Sequence, residues 1–352
     1  MRILFYNWRD LAHPAAGGAE VWTEMVARHL VSKGHEVTLF CASVKDRLHR
    51  EVVEGVTIIR RGGRLSVYRE GRKFFAESGD KFDLVLDEIN TRPFLTPRFV
   101  GATPVVAIAH QVAREVWFHE AHLPMAVMGR YFFEPRWLRE YRDVPTLTLC
   151  PSSAASLREY GLRNVHAIIP GGDPIAPPQV EKETVPTIVF LGRLVSSKRP
   201  DHAIEALTLL QKQHPEARLW IIGDGPMHNA LKRKSPPHVE FYGRLPHDER
   251  NELLARAHVL VATSVREGWG LNVSEAAEVG TPAIGYNVCG LVDSVAMSGG
   301  HVVEESPAAL AEALRAFFDH ELTLTPRVPT QTWQEVGDAV DDIIRRVHAA
   351  AP

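Results

Sequence analysis

The segments Ile3-Leu4-Phe5-Tyr6, Gly17-Gly18-Ala19-Glu20 and Val37-Thr38-Leu39-Phe40-Cys41 follow one another at the start of the chain and decide its fold. The first and last are short apolar runs, which are typical of strands buried on both faces of a parallel sheet. The glycine-containing segment begins a helix that extends to about Lys33, and Gly34 ends it. This strand–helix–strand unit predicts a doubly wound α/β domain with right-handed crossovers.

The same alternation continues through the first half of the chain and starts again in the second half. Further predicted strands are Val56–Arg60, Leu84–Asp87, Val105–Ala109, Thr146–Leu149 and His166–Ile169, then Thr187–Leu191, Arg218–Ile222, Val239–Tyr242, Val259–Ala262 and Pro282–Gly285. Predicted helices in the second half are Asp201–His214, Asp248–Ala257, Ser274–Val279, Pro307–Asp319 and Thr332–Ala349. The pattern therefore indicates two similar α/β domains.

A segment rich in Pro and Gly, Pro170–Pro186, separates the two series. Such a composition extends neither a helix nor a sheet, so it is typical of a linker. We predict an N-terminal domain over residues 1–170, a linker over 171–186, a C-terminal domain over 187–330 and a last helix within 331–352. Because ligands of doubly wound sheets bind beyond the carboxyl ends of the strands, two facing domains would form a cleft there.

Length and composition limit the class of protein. The chain has 352 residues, enough for about two domains. A formal net charge of −3 gives no reason to expect a nucleic-acid partner. The three cysteines are far apart and form no C-x-x-C pair, which argues against a disulfide framework or a zinc site. The first apolar run is too short for a secretory signal, so we expect a cytoplasmic protein.

Basic residues are concentrated in one part of the chain, residues 47–73. They are Arg47, Arg50, Arg60, Arg61, Arg64, Arg69, Arg72 and Lys73, against the acids Glu51, Glu54 and Glu70. One interpretation is an ordinary solvated loop and helix face. The alternative is a patch that meets an anionic acceptor or a membrane surface, which would place the protein peripherally at the inner membrane face.

The segment most informative about function is Glu267-Gly268-Trp269-Gly270-Leu271-Asn272-Val273-Ser274-Glu275. It places two carboxylates around a glycine-containing turn that leads into a helix, where free backbone N–H groups and the helix dipole favour an anion. The glutamates suit hydroxyls rather than phosphate. The combination fits a nucleotide sugar; the alternative is an ordinary loop-to-helix turn with two solvated acids.

Two cations follow the first strand of the second half, Arg193 and Lys198, in Gly192-Arg193-Leu194-Val195-Ser196-Ser197-Lys198. A departing diphosphate needs fixed positive charge where negative charge builds up, and a guanidinium with an ammonium supplies it. The alternative is a solvated basic loop. The Glu267–Glu275 segment downstream favours the functional interpretation.

Weaker candidates follow other strands. His110 comes directly after an apolar run, where an imidazole can serve a sugar hydroxyl or a developing charge, although it is also compatible with a solvated loop. Gly17 and Gly18 allow close backbone approach at a helix start. Gly243-Arg244-Leu245 would flank a nucleobase through backbone groups. We find no H-E-x-x-H, no G-x-x-x-x-G-K-[ST] and no G-x-S-x-G pattern.

Together these motifs resemble retaining glycosyltransferase family 4, which has the GT-B fold of two Rossmann-like doubly wound domains facing across a cleft. The matching elements are Gly17–Glu20, His110, Gly192-Arg193-Leu194 with Lys198, Ile222-Gly223-Asp224-Gly225-Pro226, and Glu267 with Glu275. They occur in the family's order and spacing over nearly the whole chain. Thr332-Trp333 resembles the start of the family's last helix, which crosses back to the first domain.

The resemblance implies a role for each site residue. Arg193 and Lys198 would bind the donor diphosphate, Glu267 and the backbone of Gly268–Leu271 the transferred sugar, and Glu275 the ribose. His110 would contact the sugar near the reacting carbon, and Gly17 and Gly18 would lie near the phosphates and the acceptor. Family members retain anomeric configuration and need neither a bound metal nor a cofactor, so the expected partners are a nucleotide-sugar donor and a hydroxyl acceptor.

The expected activity is therefore that of a hexosyltransferase. Candidate acceptors are an envelope saccharide, a lipid-linked intermediate and a natural product. Two alternatives remain. A nucleotide-sugar epimerase or hydrolase of two-Rossmann fold would release nucleotide at full rate without an acceptor, and a non-catalytic bilobal sugar-binding module would bind free sugar without a nucleotide.

Overall fold

The computed structural model describes residues 1–172, 178–328 and 331–351. The chain divides into two compact units. Unit 1 consists of Met1–Arg114, Val127–Gly171 and Gln331–Pro352, and unit 2 of Glu115–Ala126 and Gly172–Thr330. Glu115–Ala126 therefore clusters with unit 2, whereas the boundaries expected from the sequence assign it to the N-terminal domain. Residues 173–177 of the expected linker lie outside the described residues.

The strands alternate with helices along most of the chain. The strands are β1 Arg2–Tyr6, β2 Glu36–Cys41, β3 Arg50–Val53, β4 Val56–Arg60, β5 Leu84–Glu88, β6 Val105–Ile108, β7 Thr146–Thr148, β8 Val165–Ala167, β9 Thr187–Leu191, β10 Arg218–Ile222, β11 Val239–Gly243, β12 Val259–Ala262, β13 Ala283–Tyr286 and β14 His301–Val303. The helices are α1 Gly18–Ser32, α2 Val67–Ser78, α3 Val116–Glu120, α4 Leu123–Met128, α5 Glu134–Arg139, α6 Pro151–Glu159, α7 Pro200–Leu210, α8 His228–Lys234, α9 His247–Arg256, α10 Leu271–Glu278, α11 Leu291–Met297, α12 Pro307–Phe318 and α13 Trp333–Ala349.

The sheet of unit 1 has the strand order β3-β4-β2-β1-β5-β6-β7-β8. Its pairings are parallel except for the antiparallel β3–β4 pair at one edge. Strands β1, β5 and β6 are neighbours, so the residues that follow their carboxyl ends lie side by side. Polar side chains collect at this edge of the sheet: Asn7 directly follows β1, Glu88 is the last residue of β5, and His110 lies two residues beyond β6.

The sheet of unit 2 has the order β11-β10-β9-β12-β13-β14, and its pairings are all parallel. Its four inner strands, β10, β9, β12 and β13, are almost completely buried, as the continuous apolar runs predict: Ile221 and Leu260, for example, are both 0% exposed. The edge strands β11 and β14 are only partly buried. Strands β9 and β12 are neighbours, which brings the loop after β9 next to the loop after β12. The prediction of two α/β domains, each built on a parallel sheet, is confirmed.

Helix α13 belongs to unit 1, where it packs against α1. It begins at Trp333 because the Thr332 hydroxyl accepts a hydrogen bond from the Glu335 backbone N–H (3.2 Å) and the Glu335 carboxylate accepts one from the Thr332 N–H (2.7 Å). The two helices approach closely, since a Cβ at Gly337 would lie 2.3 Å from the ring of His29. An imidazole–carboxylate pair, His29 with Asp338 at 2.8 Å, adds a polar contact.

The basic region 47–73 exposes less unpaired positive charge than its sequence suggests. Arg60 is 1% exposed and forms a buried ion pair with Asp10, with a second contact to Glu51 at 2.5 Å. A guanidinium that is buried and paired in this way contributes nothing to a surface patch. Four cations of the region are exposed and form no ion pair with a described carboxylate; these are Arg47, Arg50, Arg64 and Arg72.

The structure also contains elements that the sequence patterns do not predict. Strand β3 is a short edge strand rich in charged residues, and β14 has three residues, so neither shows a buried apolar run. Helix α10 begins at Leu271, three residues earlier than expected, because Gly270 adopts a positive φ of 99° and precedes the first turn.

Candidate active site

Lys198 and Glu267 meet in unit 2, from the loops that follow the neighbouring strands β9 and β12. The Lys198 ammonium donates a hydrogen bond to Oε1 of Glu267, and the Ser264 hydroxyl donates to the same oxygen at 2.6 Å. Both side chains are only partly buried, with 25% of the Lys198 side chain and 13% of the Glu267 side chain exposed. A partly buried cation–carboxylate pair at the carboxyl edge of a parallel sheet suits a ligand that carries both negative charge and hydroxyls.

A strained backbone conformation positions Lys198. Arg199 follows it with a φ of 48°, an unusual value for a residue with a Cβ. The Thr263 hydroxyl lies 2.9 Å from the carbonyl oxygens of both Lys198 and Arg199, and Glu305 pairs with the Arg199 guanidinium at 2.7 Å. These contacts hold the backbone of Arg199 in a conformation that costs of order 1–3 kcal/mol. They therefore help to fix the direction of the neighbouring Lys198 side chain.

The turn after Glu267 is tightly packed. The Glu267 backbone N–H donates to the carbonyl of Cys289 at 2.9 Å, and a Cβ at Gly290 would lie 2.3 Å from the Glu267 carbonyl oxygen. A side chain at Gly270 would also be too close to its neighbours, since a Cβ there would lie 2.9 Å from Leu291. Helix α10 then begins at Leu271, and its positive end faces this turn, which is the arrangement that favours an anion.

Trp269 is a packing residue in this turn. Its side chain is 1% exposed, and the indole N–H donates to the hydroxyl of Ser274 at 2.8 Å. The bond joins the turn to the first part of α10, so Trp269 stabilises the start of the helix. Glu275 lies in the same helix and pairs with Arg250 of α9 at 3.1 Å.

Glycines allow the loop after β9 to pack on the turn after β10. A Cβ at Gly223 would lie 2.0 Å from the carbonyl oxygen of Gly192, and a Cβ at Gly225 would lie 2.5 Å from that of Leu194. Backbone bonds close the contact, from the Gly192 N–H to Ile222 at 3.0 Å and from the Leu194 N–H to Asp224 at 3.0 Å. The Gly223-Asp224-Gly225-Pro226 element therefore supports the loop that carries Arg193 and Lys198.

Other predicted donor-site residues of unit 2 lie at or after the ends of β9 and β11. Arg193 is exposed, and its side chain makes no ion pair or hydrogen bond within the part of the chain that the structure describes. Gly243 ends β11 with a φ of 67°, and its carbonyl accepts a hydrogen bond from the Gly223 N–H at 2.7 Å. Arg244 is exposed, and Leu245 packs against the core of the unit.

A segment that sequence reasoning missed contacts the same loops. Helix α3 and the residue before it belong to unit 2 and reach the loops on either side of the Lys198–Glu267 pair. The contacts are His119 Nδ1 with Ser196 Oγ at 3.0 Å, Ser197 Oγ donating to Glu120 at 2.6 Å, and Arg266 Nε donating to Glu115 at 2.9 Å. Nothing in the sequence pattern indicates these pairs, because the partners are 77 or more residues apart.

In unit 1, His110 lies next to a buried carboxylate. Its Nε2 is 3.2 Å from Oε2 of Glu88, and its ring meets the indole of Trp22 edge to face, with 5.4 Å between the ring centres. Glu88 is 1% exposed, and burial raises the pKa of its carboxyl, while hydrogen bonds from His110 and Thr23 act in the opposite direction. The sequence shows Glu88 only as a polar residue at a strand end.

The glycines at the start of α1 form a tight turn in unit 1. The Gly17 N–H donates to the Glu20 carboxylate at 2.6 Å, and the Arg9 guanidinium donates to the other oxygen at 3.0 Å. Glu20 therefore holds the first turn of the helix, and Gly18 begins it. Helix α1 also carries Trp22 and Thr23, so it connects this turn to the surroundings of His110.

Within the described residues, no group of three or more His, Cys, Asp or Glu side chains is arranged to hold a metal ion. None of the helices that the structure describes is both long and apolar enough to cross a bilayer.

Two family models match the chain. The model described as Glycosyltransferase Family 4 matches residues 16–175, and the model described as Glycosyl transferases group 1 matches residues 173–328. Together they cover most of the chain, and each falls largely within one of the two units.

Curated proteins and solved structures agree with these matches. A glycogen synthase of Mycobacterium tuberculosis (strain ATCC 25618 / H37Rv) is 27% identical over 362 residues, which covers 91% of this chain and 86% of that protein. Sucrose-phosphate synthase from Thermosynechococcus elongatus has a TM-score of 0.75 at 17% identity, covering 99% of each chain. Anabaena Alr3699/HepE in complex with UDP and glucose has a TM-score of 0.64 at 16% identity, covering 99% of this chain and 97% of that one. The solved structures show a shared fold, which is GT-B.

Proposed function

The chain belongs to glycosyltransferase family 4 and transfers a sugar from a nucleotide-sugar donor, and we propose that it does so with retention of anomeric configuration and without a bound metal ion. The observation that carries the proposal is the contact between Lys198 and Glu267 in front of α10. It places a cation, a carboxylate and a helix N-terminus together, so that one nucleotide sugar would engage all three.

Lys198 supplies the charge that a divalent ion provides in other transferases. As the bond from the sugar to the diphosphate breaks, negative charge builds on the leaving phosphate, and an ammonium held in place stabilises it. Arg193 is exposed, and within the described chain its side chain forms no ion pair or hydrogen bond that would have to break on ligand binding. Its guanidinium is therefore available for the same diphosphate. No cofactor enters this scheme.

Glu267 and the turn after it bind the transferred sugar in this proposal. The carboxylate accepts hydrogen bonds from sugar hydroxyls, and the backbone of Gly268–Leu271 supplies donors. The side chain of Trp269 is buried and shapes the turn instead of covering the sugar. Glu275 accepts the ribose hydroxyls, with Arg250 holding its carboxylate, and Gly243-Arg244-Leu245 flank the base.

In unit 1, the proposal concerns His110, Gly17 and Gly18. We assign His110 to a hydroxyl of the transferred sugar, and the turn at Gly17 and Gly18 to the phosphates and the acceptor. The acceptor is a hydroxyl compound of the envelope-saccharide, lipid-linked or natural-product class. Epimerase or hydrolase activity and simple sugar binding lose support, because both family models that match are models of transferases.

The stereochemistry of the product tests the retaining, metal-independent proposal. Incubation with an α-linked nucleotide sugar and an acceptor extract should give an α-linked product by proton NMR, at a rate that EDTA leaves unchanged. A β-linked product would contradict retention. A rate that EDTA abolishes and Mg²⁺ restores would contradict metal independence.

We further propose that the basic region 47–73 contacts an anionic membrane surface. Arg47, Arg50, Arg64 and Arg72 are exposed and unpaired with any described carboxylate, and large apolar side chains lie among them, with Leu48 66% and Leu65 77% exposed. Exposed apolar residues interleaved with cations suit the interface of an anionic bilayer.

Vesicle cosedimentation tests the membrane contact. The wild type should bind vesicles that contain an anionic lipid at low salt and release them at high salt. Replacing Arg64 and Arg72 with glutamate should weaken binding at least about tenfold, since each basic residue near the surface contributes ~1 kcal/mol. A double replacement of Lys232 and Lys234, exposed in α8 of unit 2, is the matched control and should bind as the wild type does. Absence of binding at both salt concentrations would remove the proposal.

A further inference from the structure

We propose that Glu88 is a positioning residue: it holds the imidazole of His110 with Nε2–H toward the carboxylate, so that Nδ1 faces a substrate hydroxyl as a hydrogen-bond acceptor. The inference rests on the proposed function, because it specifies how His110 meets a sugar. It concerns a buried carboxylate to which neither the motifs nor the comparisons give a role.

The imidazole of His110 is tightly enclosed. The residue is 6% exposed, Glu88 lies on one side with 3.2 Å between Nε2 and Oε2, and the Trp22 indole meets the ring at an interplanar angle of 81°. A ring held by a carboxylate and an indole keeps one orientation. What it offers to a ligand then depends on which nitrogen carries the proton.

The amide of Asn7 identifies the role of Oε2 in Glu88. The Arg9 backbone N–H lies 3.3 Å from the Asn7 side chain, and since a backbone N–H only donates, the atom facing it is the Asn7 oxygen, Oδ1. The Asn7 nitrogen therefore points the other way and donates to Oε2 of Glu88 at 2.9 Å. Oε2 therefore accepts from Asn7, and in an ionised Glu88 it can only accept from His110 as well, so that bond is donated by Nε2–H.

The same arrangement is compatible with a protonated Glu88. Burial raises the pKa of Glu88, and a proton that the carboxyl takes up has a place on Oε1, which lies 2.6 Å from the Thr23 hydroxyl. That hydroxyl has a second acceptor to donate to, the Ala19 carbonyl at 2.9 Å, so it can accept from a protonated Oε1. With the proton on Oε1, Oε2 remains an acceptor.

A neutral imidazole with its proton on Nε2 has a lone pair on Nδ1. In the part of the chain that the structure describes, Nδ1 of His110 is buried and has no hydrogen-bond partner. Buried polar atoms in proteins nearly all have a partner, so an unmet acceptor beside a site points to a ligand that donates. A sugar hydroxyl donates, whereas a fully ionised phosphate oxygen does not.

Nitrogen NMR of the imidazoles tests the tautomer directly. In protein labelled with ¹⁵N-histidine at about pH 8.5, roughly two units above the ordinary histidine pKa, the His110 resonances should show a protonated Nε2 and an unprotonated Nδ1. The spectrum of His110→Gln identifies them by their loss. A protonated Nδ1 in the wild type would overturn the proposal, whatever the enzyme transfers.

Two replacements of Glu88 separate positioning from charge. Glu88→Leu removes the acceptor, so the ¹⁵N shifts of His110 should move toward a mixture of tautomers, and kcat/KM should fall about tenfold to a hundredfold, the range found when metal-ligating histidines lose their hydrogen-bond partners. Glu88→Gln keeps an oxygen for Nε2–H and presents its amide nitrogen to Thr23. It should therefore restore the wild-type tautomer and most of the activity.

Thr23→Val serves as the control for general damage to the buried cluster. It removes the hydroxyl beside Oε1 and leaves Oε2 facing His110, so stability should fall while the His110 tautomer stays unchanged. Wild-type ¹⁵N shifts and wild-type kcat/KM in Glu88→Leu would contradict the role of Glu88. If the wild type transferred no sugar at all, the proposed function would be wrong, and the tautomer of His110 would still test the role of Glu88.

Discussion

Replacing Lys198 with alanine should lower kcat by about 10²–10³-fold, equivalent to about 2.7–4 kcal/mol of transition-state stabilisation. The ammonium is held by Glu267 and by a strained backbone, so it needs little reorganisation when charge develops on the leaving diphosphate. Its removal also leaves the Glu267 carboxylate without its cation next to the phosphates. The measurement is release of nucleoside diphosphate from the donor, with and without an acceptor extract.

Lys212→Ala is the matched control for that loss. Lys212 is an exposed lysine of the same unit and forms no ion pair within the described residues, so its removal changes the net charge by the same amount. Its kcat should equal that of the wild type. Turnover by Lys198→Ala within a few-fold of the wild type would show that the leaving group is stabilised elsewhere.

Gly223→Ala should destabilise unit 2 by about 2–5 kcal/mol. The residue has a φ of 132°, and a Cβ there would lie 2.0 Å from the Gly192 carbonyl oxygen. The cost combines about 1–2 kcal/mol for the backbone conformation with about 1–3 kcal/mol for overpacking against a backbone atom. Urea denaturation followed by tryptophan fluorescence measures it, since Trp220 and Trp269 lie in this unit.

Gly280→Ala separates the two causes. Gly280 also has a positive φ, 78°, but nothing lies within 4 Å of the position that a Cβ would take. Its loss of stability should be about 1–2 kcal/mol, the conformational cost alone. Equal losses in the two variants would mean that the contact between Gly223 and Gly192 is not tight, and the loop carrying Lys198 would not depend on it.

The sequence predicted the parts of the fold that depend on local patterns. Apolar runs and a glycine-started helix are enough to predict two parallel-sheet domains. Lys198 and Glu267 were predicted to serve one nucleotide sugar, and the structure shows them in contact since β9 and β12 are neighbours. Arg193 was predicted to bind the same diphosphate; its side chain is exposed, and that role stays a prediction.

What the sequence could not predict depends on strand order and on distant contacts. Glu88 is paired with His110 because β5 and β6 are adjacent, and strand order is not visible in a single chain. The contacts of α3 with Ser196 and Ser197 join residues that are 77 positions apart in the sequence. Local periodicity cannot predict contacts over that separation. The indole of Trp269 is buried and bonded to Ser274, and the local sequence does not show that contact either.

Thermal unfolding with a panel of nucleoside diphosphates and their sugars tests the central claim most directly, in the wild type and in Lys198→Ala. A ligand that binds only the native protein stabilises it, by about 2.7 kcal/mol at a concentration of 100 Kd. We predict that one nucleoside diphosphate and its sugar raise the Tm of the wild type, that free sugars do not, and that the rise is largely lost in Lys198→Ala. Equal rises in both proteins, or a rise with free sugar alone, would contradict a donor site built around Lys198 and Glu267.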